Sequence, residues 1–127
     1  AGFIKRGFKR LRAGVKGARP YDPKGLQRDR IVPFEKLEAM YLSEEAVLTC
    51  AVMPGVGIGS AYNTDIDDLC KGLRRAASRN ETVVFFSHDI AENPSIISMR
   101  TDWLEKILAT ASREGMAIVG FDDLPSK

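Results

Sequence analysis

The sequence Thr82-Val83-Val84-Phe85-Phe86-Ser87-His88-Asp89-Ile90 contains the only histidine of this 127-residue chain. Its first five residues are β-branched or aromatic and include no glycine or proline, a composition typical of a β-strand. The apolar residues are consecutive rather than alternating, which predicts a strand buried on both faces, as in a parallel sheet. Polar residues begin abruptly at Ser87, so the pattern places His88 at the carboxyl end of the strand.

His88 has two interpretations on this pattern. The carboxyl end of a strand in an α/β fold is where ligands and catalytic side chains collect. An imidazole titrates near neutral pH, so His88 is a candidate general acid or base. A histidine that only hydrogen-bonds a neighbouring loop fits the same position equally well. The position alone does not separate the two interpretations.

The segments on either side of this run predict alternating strands and helices. One helix begins after Thr64, as its N-cap, and carries apolar residues at spacings of three and four. A second helix is predicted with Thr101 as its cap and ends at Gly115. Further strands are predicted at residues 11–15, 46–53 (stopped by Pro54) and 116–121. This order indicates an α/β fold built from parallel βαβ units.

Two other groups near the predicted carboxyl edge have simple explanations. Gly55 and Gly57 fit a dinucleotide-binding fingerprint, but its third glycine would fall at Ser60 and the next helix begins too late to face a pyrophosphate. A flexible loop is the better interpretation. Asp122 and Asp123 end the last predicted strand, where adjacent carboxylates can bind a metal or orient a base. Successive strand residues point opposite ways, which favours solvated or helix-capping acids.

Length and composition indicate one domain over residues 1–127, with 44% hydrophobic and 28% charged residues. The net charge of +2 is unevenly distributed. Residues 1–30, a predicted basic helix (2–12) and loop, have a balance of +8, and residues 31–127, the βαβαβ segment, have −6. A basic arm can bind the phosphates of nucleic acid or lipid. Its few aromatic residues favour the solvated side of a helix instead, and no apolar run approaches the roughly 20 residues of a membrane helix.

The two cysteines, Cys50 and Cys70, fall in a predicted strand and a predicted helix. Their separation does not match the spacing of metal ligands. We expect two buried thiols that pack as small apolar groups.

The C-terminal half of the chain resembles the closing segment of the polysaccharide deacetylases, the carbohydrate esterase family 4 enzymes with a NodB-homology domain. Their last motif is a strand that ends in two apolar residues, His and Asp, followed by a helix and by a strand that ends in Asp or Glu and Leu. The resemblance covers residues 64–125 and is carried by Val83 to Ile90, Thr101 to Leu108 and Gly115 to Leu124. More loosely, Phe8 to Arg12 resembles the segment after the third motif of the family.

The resemblance implies a partial (β/α) barrel of the glycoside hydrolase and deacetylase type, which removes N-acetyl or O-acetyl groups from a glycan. In the family, a divalent metal such as zinc binds the attacking water, an aspartate is the base and the last-motif histidine protonates the leaving amine. By position, His88 is then the general acid, Asp89 its orienting partner and Phe86 a side of the pocket for the acetyl methyl group. A cell-envelope or secreted location is typical of the family.

The chain departs from the family at the metal site. The family binds its metal through an aspartate and two histidines, whereas this chain has one histidine and no His-x-x-x-His or Arg-x-Pro-Tyr motif. We therefore expect a C-terminal portion of a deacetylase-like protein that binds no metal and hydrolyses nothing alone. Its open sheet face would be covered by the rest of its own chain or by a second copy. The alternative is a non-catalytic module that binds a glycan or a partner and is completed by dimerisation.

Overall fold

The computed structural model describes residues 10–15, 21–26, 31–93, 95 and 98–125. Residues 2–9 of the predicted basic helix at residues 2–12, and much of the loop that follows it, therefore lie outside the described residues, whereas Leu11 and Arg12 belong to a β-strand and not to a helix. None of the helices in the described ranges has the length and apolar character needed to cross a bilayer.

The described residues form a mixed α/β structure with a small parallel sheet. The strands are β1 (Leu11–Gly14), β2 (Val52–Gly57), β3 (Phe85–Phe86), β4 (Ile90–Ala91) and β5 (Met99–Arg100). The α-helices are α1 (Glu44–Thr49), α2 (Ile66–Arg79) and α3 (Thr101–Arg113), and 3₁₀ turns lie at Phe34–Lys36, Glu38–Met40, Ser60–Tyr62 and Phe121–Asp123. β1, β2 and β3 are parallel in that order, and β4 pairs with β5 in parallel. The prediction of parallel α/β units is confirmed.

The three-stranded sheet has two faces with different neighbours, because successive strand residues point to opposite sides. On the first face, Val56 is 2% exposed and packs in the main core with side chains of α2 and α3. On the second face, Met53 forms a smaller cluster with Leu42 and Val47. α2 and α3 therefore cover one side of the sheet, and the smaller cluster, to which α1 contributes Val47, lies on the other.

The predicted strand at residues 46–53 is wrong over its first half, which is helix α1. The Ser43 hydroxyl accepts a hydrogen bond from the Ala46 N–H at 3.2 Å, and Glu44 and Glu45 occupy the first turn. A serine cap followed by acidic residues favours a helix start. This local signal outweighs the β-propensity of the apolar residues that follow it.

Pro54 does not stop the strand as predicted but lies inside β2, the central strand of the sheet. The N–H groups of Val56 and Ile58 donate to carbonyls of the β3 segment at 2.9 and 2.8 Å. Pro54 lies two residues before Val56 in the same strand, but a proline has no N–H to donate to the β3 segment. The carbonyl at the equivalent place in the neighbouring segment, Thr82, accepts instead from the Leu42 N–H at 2.9 Å. A bridge from another segment thus satisfies the acceptor that a central proline would leave unpaired.

The segment around β3 is less buried than its sequence predicts. Only Phe85 and Phe86 pair as a strand, and residues 82–87 are half-buried rather than enclosed on both faces. A cavity of about 700 Å³ lies beside them, lined also by α2, α3 and residues 116–121. The predicted burial is wrong because no neighbouring strand pairs with the outer edge of β3 within the described ranges.

The predicted last strand at residues 116–121 is also wrong, since residues 116–120 are irregular and a 3₁₀ turn follows. Phe121 and Leu124 pack instead against the smaller cluster on the second face of the sheet. The Arg10 side chain donates to the Pro125 carbonyl at 2.6 Å and so ties this end to the start of β1. Burial of two large apolar side chains there competes with pairing at the edge of β3.

Both helices next to β3 occur where the sequence predicts them. The N-cap of α2 is Asp65 rather than Thr64, because the Asp65 carboxylate accepts from the N–H groups of Asp67 and Asp68 at 3.0 and 3.2 Å. The N-cap of α3 is Arg100 rather than Thr101, which is the first helical residue, and the helix is followed by Gly115, whose φ of 72° lies in the left-handed region. The prediction of two buried thiols holds for Cys70 but not for Cys50, which is half-buried.

Arg75 joins α2 to the 3₁₀ turns through an ion-pair network at the edge of the main core. It donates to Glu38 at 2.7 and 2.8 Å and to Glu81 at 3.2 and 3.3 Å, and it lies 3.8 Å from the centre of the Tyr41 ring. Hydrogen bonds from Arg75 lower the pKa of Glu38 below its usual value. Burial raises the pKa of Tyr41 to about 12, and its hydroxyl donates to the Phe34 carbonyl at 2.6 Å.

Candidate functional site

The candidate site lies over Gly55 and Gly57 of β2, on the second face of the sheet. A Cβ on Gly57 would lie 2.6 Å from ring atoms of Tyr62, and a Cβ on Gly55 would lie 2.8 Å from Cδ of Arg12. Both side chains therefore lie directly on the backbone of β2. Glycine inside a strand often marks such a close approach. The prediction of a flexible loop over these glycines is wrong, because both belong to the strand.

Phe86 lies at the centre of the side chains that gather on this face. It is opposite Gly57 in the parallel register. The Arg12 guanidinium lies 3.7 Å from the centre of the Phe86 ring, and the Tyr62 ring meets it edge-on at 5.7 Å and 83°. Tyr21 in turn meets Tyr62 edge-on at 5.3 Å and is 53% exposed. These geometries are favourable for cation–π and aromatic pairs.

His88 lies beside this group, two residues after Phe86, and its side chain is exposed. Its ring is nearly parallel to that of Tyr62, with an interplanar angle of 8° and a centroid distance of 6.1 Å. Nε2 of His88 is 3.3 Å from the Tyr62 hydroxyl, and the tautomer decides which of the two donates. Tyr62 therefore orients the imidazole while the ring remains accessible. We call Arg12, Tyr21, Tyr62, Phe86 and His88 the site cluster.

Backbone hydrogen bonds fix the position of Tyr62 in the site cluster. The 3₁₀ turn that carries it ends at Asn63, which has a left-handed φ of 53°. The Thr64 hydroxyl accepts from the Gly59 N–H at 3.0 Å, just before the turn. The Asp22 N–H donates to the Ala61 carbonyl at 2.6 Å and so holds the loop that carries Tyr21 against the same turn.

The structure brings two of the three predicted site residues, His88 and Phe86, into the site cluster. Asp89 lies next to them, exposed, and its carboxylate accepts from the Ile90 N–H at 3.0 Å while its carbonyl accepts from the Met99 N–H at 2.7 Å. The orienting role of Asp89 stays a prediction. The hydrogen bond shown for the His88 ring is the one with Tyr62.

Sequence reasoning missed Arg12, Tyr21 and Tyr62, which are distant from His88 along the chain. The available signal was the spacing of Gly55 and Gly57. Two glycines separated by one residue in a strand share a face. Read as part of a strand, they indicate a place where other side chains approach the backbone closely.

The described residues do not fit the divalent metal that the resemblance implies. Nowhere in the described ranges do three or more His, Cys, Asp or Glu side chains come close enough together to hold a metal ion. A structural or catalytic metal site requires at least three such protein ligands in most proteins. We therefore derive no chemical step of this chain through a metal.

Comparison of the chain with protein-family models, with curated proteins and with solved structures found no match. The interpretation of the site cluster therefore depends on the residues of this chain and on their contacts.

Proposed function

We propose that this chain supplies the general-acid part of a glycan deacetylase of the polysaccharide deacetylase type, as the closing part of a (β/α) barrel. The observation that carries this proposal is the exposed His88 ring, held 3.3 Å from the Tyr62 hydroxyl at the carboxyl edge of a parallel sheet. That edge is the usual place of active sites in α/β folds.

His88 has the chemistry to assist the departure of an amine. When the C–N bond of an N-acetyl group breaks, the sugar nitrogen must gain a proton, because an unprotonated amide anion is a poor leaving group. A protonated imidazole can donate that proton near neutral pH. For an O-acetyl group the same proton goes to the departing sugar oxygen. The hydrogen bond to Tyr62 restricts rotation of the ring, so the donating nitrogen keeps one direction.

The aromatic residues of the site cluster suit a sugar ligand. Tyr62 packs edge-on against Phe86 and nearly parallel to His88, and the exposed Tyr21 extends the aromatic surface toward solvent. Aromatic side chains with one exposed face can bury the apolar face of a sugar ring while the hydroxyl groups of the sugar stay solvated. In this proposal, Phe86 lies next to the acetyl methyl group.

The cavity beside β3 supports the proposed completion by further protein. It has a volume of about 700 Å³, and Ile118 and Val119 at its border are 57% and 52% exposed. Contiguous exposed apolar surface usually marks an interface. We propose that the groups that activate the attacking water enter with the protein that covers this surface, either more of the same polypeptide or a second copy.

The test is the substitution His88→Ala in the complete protein, with amine release from an N-acetylated oligosaccharide as the assay. Loss of a general acid is expected to lower turnover by about 100-fold or more. The neighbouring Ser87→Ala is the matched control and should stay near wild type. A loss below about threefold for His88→Ala would contradict the proposed role.

A second candidate function is a non-catalytic glycan-binding module completed by dimerisation, which the exposed apolar border of the cavity also favours. Under this alternative, His88→Ala retains chitotetraose binding and no variant releases amine. Sedimentation velocity would then show a dimer that dissociates when Ile118→Asp is introduced. A catalytic protein with His88-dependent turnover would exclude this alternative.

A further inference from the structure

Arg12 is a cation of the site cluster whose contacts leave its hydrogen-bond donors available. Its guanidinium lies 3.7 Å above the Phe86 ring. In the described part of the chain, no carboxylate lies within 4.0 Å of it. A guanidinium that stacks on a ring uses its planar face, so the N–H groups around its edge can still bind an anion. Phe86 thus orients the charge of Arg12 without neutralising it.

The chain is shaped to place this charge at the site. Arg12 begins on β1, at the far side of β2 from Phe86, and its stem crosses β2 at Gly55. A side chain at position 55 would meet Cδ and Cγ of Arg12 at 2.8 and 2.9 Å. Because Gly55 has no side chain, the side chain of Arg12 on β1 can cross β2 and reach Phe86 on β3.

Arg12 and His88 are connected by a series of ring contacts. Arg12 contacts Phe86, Phe86 contacts Tyr62, and Tyr62 contacts His88. Successive ring centroids are 5.7 and 6.1 Å apart. A ligand that covers these rings and reaches His88 with its acetylated nitrogen would therefore lie near the guanidinium as well.

We propose that Arg12 is a specificity-determining residue that selects a glycan bearing a carboxylate. The inference rests on the proposed function, and it narrows the substrate class from N-acetylated glycans to acidic ones. A guanidinium edge matches the two oxygens of a carboxylate and forms paired charge-assisted hydrogen bonds. Among the described residues, one cation stacks on the rings of the site cluster, which suits one carboxylate of a sugar better than the regular phosphates of a nucleic acid strand, which need a line of basic side chains.

The experiment compares two N-acetylated ligands of equal length, a hyaluronan tetrasaccharide, which carries carboxylates, and neutral chitotetraose. Binding to the full chain is measured by isothermal titration at low salt, and the His88 ring is followed by NMR in the same samples. We expect the hyaluronan fragment to bind about tenfold more tightly. Arg12→Gln should remove most of this preference, because it weakens the binding of the hyaluronan fragment far more than the binding of chitotetraose. Arg12→Lys, which keeps the charge but loses the paired geometry, should be intermediate.

The matched control is Arg113→Gln, an exposed arginine at the end of α3, which should keep the full preference. Equal affinity for both ligands in the wild type, with His88 signals still shifted, would overturn the inference and leave the proposed function standing. Equal weakening of both ligands by Arg12→Gln would overturn it in favour of a structural role. Tighter binding of an oligothymidine than of the hyaluronan fragment would overturn the inference and show that the site cluster prefers a nucleic acid to a glycan. Failure of both glycans to bind or to shift His88 would overturn the proposed function as well.

Discussion

Gly57→Ala is expected to displace Tyr62 and to uncouple it from His88. The added Cβ would lie 2.6 Å from two ring atoms of Tyr62 and 2.7 Å from a third. Carbon atoms in favourable contact are about 3.5–4.0 Å apart, so the ring must move by roughly 1 Å. The hydrogen bond to His88 is already long at 3.3 Å, and a shift of that size breaks it.

The energetic cost follows from the same contact. Overpacking of a well-packed site typically costs about 1–3 kcal/mol. Gly57 is a strand residue without a left-handed φ, so the alanine itself adds no backbone strain and removes some unfolded-chain entropy. We expect a net loss of about 1–2 kcal/mol in the free energy of unfolding, measured from urea transitions. NMR of the His88 ring should show a shift toward the signals of a histidine that has no aromatic or hydroxyl neighbour, because the contact with Tyr62 is lost.

Gly14→Ala is the matched control, because nothing lies within 4 Å of a Cβ built there and Gly14 is also on a strand. It should leave the free energy of unfolding unchanged or raise it slightly. If Gly57→Ala unfolds at the wild-type urea midpoint and leaves the His88 signals in place, the described contact between Tyr62 and the β2 backbone is wrong.

Two further predictions concern the ion-pair network and its tyrosine. Because Arg75 lowers the pKa of Glu38 below 4.5, the carboxylate stabilises the fold above that pH and the contribution is lost as the pH falls through the lowered pKa. In Glu38→Gln, the free energy of unfolding should therefore decrease less steeply as the pH falls below 4.5 than it does in the wild type. Glu105→Gln, at an exposed position, should leave the pH dependence unchanged. The same pH dependence in the wild type and in Glu38→Gln would refute this prediction. Because burial raises the pKa of Tyr41 from 10.0 to about 12, its contribution is lost as the pH rises from 10 through 12. Absorbance titration should show a late tyrosine step that Tyr41→Phe removes, with a cost of about 1–2 kcal/mol for the lost hydrogen bond.

The elements that could be predicted from the sequence are those with a strong local signal. α2 combines an acidic first turn, a stripe of apolar residues and arginines at its end, and all three act within one segment. α3 has a similar stripe and a terminal glycine. The parallel pairing followed from their alternation with apolar runs. His88 was placed at the edge of the sheet for the same reason, since the change from apolar to polar residues is local.

The errors occur where a distant segment decides the local structure. Pro54 stays in a central strand only because Leu42 bridges to Thr82, which no local pattern indicates. Residues 116–121 do not pair with the edge of the sheet, because Phe121 and Leu124 pack against the cluster around Met53. Arg12 and Tyr62 could not be assigned to the site because their approach depends on the sheet register rather than on neighbours in sequence.

Cys70 is a buried thiol at the interface between α2 and α3, and its reactivity can report when the two helices separate. Cys70 lies on α2 and is 1% exposed, and its sulfur accepts a hydrogen bond from the Thr110 hydroxyl of α3 at 3.4 Å. An alkylating reagent can reach this atom only after the helices separate, whereas Cys50 is half-buried and free. With Cys50 replaced by serine, the alkylation rate of the remaining thiol reports how often the helical layer opens under native conditions.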